Sequence, residues 1–187
     1  WAQTGLVPFE WEDAHVDPVV SDGENLYSVQ KTADGAWLFR ANAVPAKGWQ
    51  QYAVLPRTDV KTKELVYRES ETLAASLHHL ENDYLKVTLD PNGQFSSIYD
   101  KKARRELLKA GKNGNVLMTY EDRPHNYDAW DVNNYYVEKS WEITDVQHLS
   151  LIEDGPLRAT IQVVRRYLDS EITQYISLEA DSPELKI

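Results

Sequence analysis

The stretch DYLKVTLDPNGQFSSIYD, from Asp83 to Asp100, carries the clearest folding pattern in the chain. Leu85, Val87 and Leu89 alternate with polar residues, which is typical of a strand with one buried side and one side facing water. The segment DPNG then supplies turn residues, because proline fixes φ and Asn-Gly tolerates positive φ. The residues QFSSIYD that follow predict the second strand of an antiparallel pair.

Runs of the same kind occur on both sides of this hairpin. NLYSVQKTADGAWLFRANAVP, from Asn25 to Pro45, contains two aromatic and β-branched runs joined by ADGA, a hairpin signal. GWQQYAVLP, from Gly48 to Pro56, is a third candidate strand. Residues 141–180 alternate through three more strands, with turns at EDGP and LDSE. The sequence therefore predicts an all-β protein whose main part is an antiparallel β-sandwich.

Two segments interrupt this strand pattern. DKKARRELLKAG, from Asp100 to Gly111, contains good helix formers and predicts a turn or one or two helical turns. The polar residues 60–72 indicate a soft boundary between domains. We expect a small β domain or linking β region over 1–70 and the first part of a large β-sandwich over 71–187.

Composition narrows the classes of partner. The 187 residues have a net charge of −10, which argues against nucleic acid and leaves neutral sugars or cationic ligands open. Cysteine is absent, which excludes disulfides and thiolate metal sites, and no apolar run approaches the roughly 20 residues that span a bilayer. The sequence thus predicts no membrane partner. Because the chain starts at Trp1 rather than Met, we expect it to be a piece of a longer protein.

The histidines do not have the spacing of a zinc site. None of the five forms an H-x-x-x-H or H-x-H pattern. The adjacent His78 and His79 would point to opposite faces of one strand, so they could not share a metal. We therefore expect no metal site, and the chain also contains no recognisable nucleophile motif.

An unusual segment, YEDRPHNYDAWDVNNYYVEKSW, runs from Tyr120 to Trp141 and mixes aromatic rings with carboxylates. Asp128 and Asp131 flank Trp130, and their spacing in a turn could match the roughly 5 to 9.5 Å between glycosidase carboxyl groups. Both could equally cap turns through backbone N–H groups, or contact a substrate without catalysis. Tyr127 and Trp130 are either core anchors or a platform for the apolar face of a sugar ring.

Several short motifs in the second half occur in a fixed order. They are Leu80, Glu81 and Asn82; Asp90 and Gly93; Ser97, Ile98 and Asp100; Arg105 and Glu106; Gly114 and Asn115; and Asp122, Pro124, Tyr127, Asp128, Ala129, Trp130 and Asp131. This combination closely resembles the family-38 glycoside hydrolases, the α-mannosidases. The resemblance is firm over about residues 75–187 and weaker before them.

The resemblance implies a parent enzyme that is a retaining, zinc-dependent α-mannosidase acting on terminal α-mannosides. Family members hold their zinc and catalytic Asp pair in an N-terminal catalytic domain, whose motifs are not in this sequence. This chain would then be a non-catalytic piece of a mutarotase-like supersandwich, inactive alone and without its own cofactor. The form looks bacterial and cytoplasmic. The alternative is a freestanding carbohydrate-binding or mutarotase-like module.

The resemblance also suggests where the segment from Tyr120 to Trp141 points. We expect it to face the catalytic domain, with substrate or interdomain contacts from Arg123, His125, Tyr127, Asp128, Trp130 and Asp131. Of the two carboxylates, we expect Asp128 to hold the loop and Asp131 to face the site. Because the sandwich would lack its later strands, we also expect this chain to form a homodimer through an open edge.

Overall fold

The computed structural model describes residues 2–59, 72–127, 130 and 132–187. In this part of the chain, strands are joined by turns and by two short 3-10 helices, at Arg57–Asp59 and Asn134–Glu138. Every strand pairing is antiparallel. The all-β, antiparallel prediction is confirmed. Among the described residues, none of the helices has the length and apolar character needed to cross a membrane.

Six strands lie within residues 2–59 and form two three-stranded sheets. They are β1 Gln3–Phe9, β2 Pro18–Ser21, β3 Leu26–Tyr27, β4 Val29–Lys31, β5 Trp37–Val44 and β6 Ala53–Pro56. The sheets have the orders β1-β5-β4 and β3-β2-β6. The ADGA hairpin is confirmed between β4 and β5, where Thr32 N donates to Ala36 O over 2.8 Å. Gly35 takes a φ of +92° there, a conformation that glycine adopts without strain.

The structure differs from the sequence prediction in three places in this region. The run NLYSVQ supplies two strands, β3 and β4, which belong to different sheets. GWQQYAVLP is strand only from Ala53 onward. β1 and β2 were not predicted, because each carries a proline. Pro8 is tolerated since β1 is an edge strand, and Pro18 is the first residue of β2.

Eleven described strands follow residue 72. They are β7 Ala74–Ser76, β8 His79–Glu81, β9 Leu85–Leu89, β10 Phe95–Asp100, β11 Arg105–Glu106, β12 Met118–Tyr120, β13 Ser140–Glu142, β14 Val146–Asp154, β15 Arg158–Tyr167, β16 Ser170–Glu179 and β17 Leu185–Lys186. The first five form one sheet in the order β11-β10-β9-β8-β7, and the last four form another in chain order. β12 and β13 form a separate two-stranded ribbon.

The two larger sheets share one hydrophobic core. Leu85, Val87 and Leu89 are buried on one side of β9, as their alternation predicted. They pack in a single cluster with Ile161 and Val163 of β15 and further residues of β16. Full burial of each such side chain contributes about 1.5–3 kcal/mol, so this cluster is the main source of stability for the second half of the chain.

A second core lies among the strands before residue 60. The ring of Phe39 is buried and meets Phe9, Tyr27 and Tyr52 edge to face, with centroids 4.8–6.4 Å apart. Aromatic pairs of this geometry add about 0.5–1.5 kcal/mol beyond their buried area. The predicted boundary between domains 1–70 and 71–187 falls on residues 60–71, which lie outside the described part, so the division stays a prediction.

Gln30 joins the two halves of the chain. Its side chain is buried, and it inserts into the turn between β14 and β15. Its Oε1 accepts the amides of Leu157 and Arg158, both over 2.9 Å, and its Nε2 donates to Arg158 O over 2.7 Å. Nearby, Ala33 N donates to Glu153 Oε1 over 3.0 Å. One end of the sheet β14–β17 is therefore covered by the β4–β5 hairpin.

Of two local predictions, one is met by one of its two alternatives and the other is wrong. Residues 101–104 make a turn, the first alternative given for this segment, and not a helix; β11 then pairs with β10, and Glu106 Oε1 accepts the amide of Ile98 on that strand. His78 lies in the turn before β8, and only His79 lies in the strand. The turn places them differently, so the argument from alternating faces does not apply.

Candidate functional site

The segment singled out by its aromatic composition forms a hairpin, here called the aromatic hairpin and defined as residues 118–142. Its base is the ribbon of β12 and β13, in which Thr119 pairs with Trp141. The ladder extends one step on either side, with Glu121 N donating to Lys139 O over 3.0 Å and Ile143 N to Leu117 O over 2.9 Å. The strands thus hold the two ends of the loop side by side.

The aromatic hairpin exposes large side chains to solvent, both on its base strands and beyond them. The residues concerned are Tyr120, Tyr127, Trp130, Val132, Tyr135, Tyr136, Val137 and Trp141. Trp130 is 88% exposed and Tyr127 is 75% exposed, which is not what core anchors would show. Tyr120 and Tyr136 meet edge to face at 5.2 Å. Large exposed apolar groups concentrated in one segment favour an interaction surface.

The predicted site residues are placed as follows. Arg123 and Lys139 both pair with Glu121, over 2.9 and 3.1 Å, and the hydrogen bond from Lys139 lowers the pKa of that carboxyl. His125 is exposed. Tyr127 has a φ of +60°, and its carbonyl accepts Trp130 N over 2.7 Å. Asp128 and Asp131 lie outside the described residues, so their assigned roles stay predictions.

Side-chain bonds to neighbouring strands brace the base of the aromatic hairpin. Thr119 Oγ1 bonds Tyr167 OH over 3.1 Å, which ties β12 to the end of β15. The amide of Gln94, a buried side chain, donates to Glu142 on β13. Both contacts were invisible in the sequence, because the partners are 48 residues apart. The base is therefore fixed to the sandwich while the rings beyond it remain in solvent.

A buried arginine organises the loops next to this base. Arg165 is 1% exposed, and its Nε and Nη2 donate to Asn92 O over 3.2 and 2.7 Å. Its Nη1 donates to Gln174, which exchanges two amide bonds with Asn115 of the loop leading to β12. Burial lowers the pKa of Arg165. Arg165 thereby joins the DPNG turn to the approach of the aromatic hairpin.

The sequence held a signal for Arg165. In TIQVVRRY, residues 160–167, alternation places position 165 on the same face as Ile161 and Val163. A charged residue at a core position predicts a buried partner. The DPNG turn packs closely against β15. A Cβ on Gly93 would lie 2.6 Å from Val163 Cγ1 and 2.8 Å from Arg165 Nη2. Gly93 also has a φ of +70°, so two requirements favour glycine there.

Two other motif residues also act as braces. Asn82 is fully buried; its Nδ2 donates to Glu179 O and Ser182 O over 2.7 and 2.8 Å, and its Oδ1 accepts two amides. Glu106 accepts the amides of Leu108 and Ile98 and the Ser97 hydroxyl, and the bond from Leu108 leads in lowering its pKa to about 2. These side chains fix turns and strand ends.

Acid–base chemistry is sparse in the described part of the chain. Glu81 accepts Lys101 Nζ over 2.6 Å and bonds His79 Nε2 over 2.9 Å, and the bond from Lys101 leads in lowering its pKa. Across residues 2–59, 72–127, 130 and 132–187, no group of three or more His, Cys, Asp or Glu is placed to hold a metal. The Glu81 cluster does not have the arrangement of a nucleophile beside its base.

Comparison with known proteins places this braced sandwich in a family. Residues 80–187 match the family described as the glycosyl hydrolases family 38 C-terminal domain. The chain is 34% identical over 85 residues to alpha-mannosidase G of Dictyostelium discoideum, covering 45% of this chain and 8% of that protein. It is 28% identical over 109 residues to alpha-mannosidase 2C1 of Homo sapiens, covering 57% of this chain and 10% of that protein. The chain thus spans about a tenth or less of the length of these relatives. Since the matched residues make up more than half of the chain, it belongs to the family-38 glycoside hydrolases, through their C-terminal domain.

Proposed function

We propose that this chain is a non-catalytic β-sandwich portion of an α-mannosidase that hydrolyses terminal α-mannosides, and that the aromatic hairpin faces the catalytic domain of that enzyme. The names of the relatives support the activity of the parent, since both are alpha-mannosidases. The exposed rings of Tyr127 and Trp130 on a braced base support the orientation. Leaving such rings in water forgoes about 1.5–3 kcal/mol each, which a partner surface recovers.

We assign the catalytic chemistry to the N-terminal catalytic domain that the family resemblance implies for the parent enzyme. The described residues hold no cluster that fits a metal, so the zinc implied by family resemblance does not fit this part of the protein. This chain would contribute a rigid frame, carbohydrate or interdomain contacts at the hairpin, and exclusion of water from the surface it covers.

Inactivity of the isolated chain gives a first test. Purified residues 1–187 should not cleave an aryl α-mannoside, with or without added zinc, because both catalytic groups and metal ligands would be elsewhere. Turnover that co-purifies with the chain and is lost on Asp128→Asn would contradict the proposal. The full-length enzyme, assayed under the same conditions, is the positive control for cleavage.

The hairpin orientation is tested by Trp130→Ala in two contexts. In the isolated chain the change should alter the free energy of unfolding by no more than about 0.5 kcal/mol, because the side chain is exposed. In the full-length enzyme it should lower kcat/KM or domain association about tenfold or more, as expected for a buried aromatic anchor. Leu168→Ala is the matched control, since Leu168 is also exposed but lies in the β15–β16 turn. Equal activity of Trp130→Ala and the control would refute the orientation.

A further inference from the structure

A cavity of about 520 Å³ lies away from the aromatic hairpin, on the outer face of the sheet β14–β17. One end is covered by Ala33 and Asp34 of the β4–β5 turn. Its floor is formed by side chains that alternate along β15, namely Arg158, Thr160 and Gln162. The volume falls within the roughly 300–1,000 Å³ typical of small-molecule sites.

The floor of the cavity is preorganised by a buried carboxylate. Glu153 accepts Arg158 Nε and Nη2, both over 2.7 Å, and the Thr160 hydroxyl over 2.7 Å. Burial would raise the pKa of Glu153, but these hydrogen bonds outweigh it and keep the pKa below its ordinary value. With Ala33 N as a fourth donor, this carboxylate is saturated and acts on its neighbours by holding them in place.

Unused hydrogen-bonding capacity remains on the groups around it. A guanidinium has five N–H donors, and two of those of Arg158 bind Glu153. Thr160 Oγ1 and Ser177 Oγ lie 3.0 Å apart, so at least one of these hydroxyls keeps acceptor capacity. Asp34 adds a carboxylate at the rim. The lining therefore offers both free donors and free acceptors.

An exposed aromatic ring lies beside the floor, on the neighbouring strand. Tyr175 of β16 is 52% exposed and sits directly across from Gln162 in the β15–β16 register. Gln162 Nε2 lies 3.5 Å from the Tyr175 hydroxyl. An exposed ring beside fixed polar groups can cover the apolar face of a ligand while those groups meet its polar edge.

Charge decides the class of ligand. Asp34 and Glu153 outnumber Arg158 among the lining residues, and the whole chain has a charge of −10, so an anion is disfavoured. A cation is also disfavoured, because the positively charged guanidinium of Arg158 would repel it. From the cavity, the free donors and acceptors of its lining and the exposed ring of Tyr175, we propose that this is a binding site for a neutral sugar ring, separate from the aromatic hairpin. It does not depend on the proposed orientation of that hairpin.

The test uses the purified 187-residue chain and methyl α-mannoside as probe, followed by amide chemical shifts. We expect saturable binding with a dissociation constant on the order of 1 mM, because a single ring has few atoms to contribute affinity. The shifts should concentrate at residues 33–34, 158–162 and 175–177. Mannose 6-phosphate, which has the same ring and an added negative charge, should bind more weakly. Absence of saturable binding, or tighter binding of the phosphate, would overturn the proposal.

Variants separate this site from other surfaces. Tyr175→Ala should weaken binding about tenfold through loss of the aromatic ring, and Gln162→Ala should weaken it less. Tyr99→Ala removes a partly exposed ring from β10, outside both the cavity and the aromatic hairpin, and should bind as the unchanged chain does. Thermal melts confirm that each variant is folded. If Trp130→Ala abolishes binding and Tyr175→Ala does not, the sugar binds at the hairpin and the cavity proposal is wrong.

Discussion

The side chain of Gln30 occupies the space that a side chain on Gly155 would need. A Cβ built on Gly155 would overlap the carboxamide of Gln30. The missing methyl group lets the carboxamide enter the β14–β15 turn and bind Leu157 and Arg158. The contact between the first 59 residues and the sandwich therefore depends on a glycine 125 positions away in sequence.

Gly155→Ala should destabilise the chain by about 1–3 kcal/mol through overpacking, measured by urea unfolding. In a Gln30→Ala background the same change should cost at least about 1 kcal/mol less, because the clash is gone. Gly5→Ala is the control, since no atom lies within 4 Å of its built Cβ. Additive effects of Gln30→Ala and Gly155→Ala would show that the two residues do not meet.

Asn82→Ala should lower the free energy of unfolding by at least about 2 kcal/mol, because it leaves buried amide and carbonyl groups without partners. Asn82→Asp should cost at least as much at pH 7, since a buried carboxylate would face the carbonyls of Glu179 and Ser182. Asn134→Asp, at an exposed position, should change stability by no more than about 0.5 kcal/mol. A mild effect of Asn82→Asp would mean that its amide is not needed as a donor.

Glu106 predicts a pH dependence of stability. Its folded pKa is about 2 and its ordinary value is 4.5, so the stabilisation is complete above about pH 4.5 and is lost as pH falls toward 2. Chemical unfolding between pH 6 and 2.5 should therefore show a shallower acid decline for Glu106→Gln than for the unchanged chain. Other carboxyls with lowered pKa values, such as Glu81, contribute equally to both curves. Glu171→Gln is the control, and identical slopes for all three proteins would exclude a role for Glu106.

The edge of β16 predicts self-association. In the described part of the chain, β17 pairs with β16 only at Ser177 and Leu178. The first residues of β16 therefore have an open edge at which a second copy could pair. Open strand edges pair readily, whereas the charge of −10 opposes indiscriminate aggregation, so a two-fold dimer is expected. Light scattering over a dilution series measures it. Thr173→Lys should shift the equilibrium toward monomer and Ser96→Lys, on an inner strand, should not; a strict monomer at high micromolar concentration would rule out the dimer.

Local patterns were enough to predict much of the sandwich. The β9–β10 hairpin and the turns at EDGP and LDSE follow from alternation and turn residues within a few positions of one another. β1 and β2 were missed because Pro8 and Pro18 interrupt the pattern, and tertiary context decides that an edge or a strand start tolerates them. The helix alternative at 101–111 failed because Glu106 bonds to the backbone of β10.

The sequence predicted the composition of the candidate site but not the side-chain bonds that hold its base in place. The mixture of aromatic and acidic residues identified Tyr120 to Trp141 as unusual, and the structure exposes its rings. The braces at Thr119 and Gln94 depend on partners far along the chain, which no window of sequence reveals. Arg165 left a trace as a charge on a buried face, but nothing local indicated that its partner would be a backbone carbonyl.

That choice of partner has a consequence for how the sequence can drift. Arg165 recognises the carbonyl oxygen of Asn92, an atom that every amino acid supplies. Position 90 needs a side-chain oxygen, since Asp90 Oδ1 accepts the amides of residues 92 and 94, and Gly93 must stay small. Position 92 is free to mutate as long as the turn keeps its shape. A contact to the main chain thus constrains the first and last positions of the D-x-x-G pattern and leaves the side chain at position 92 unconstrained.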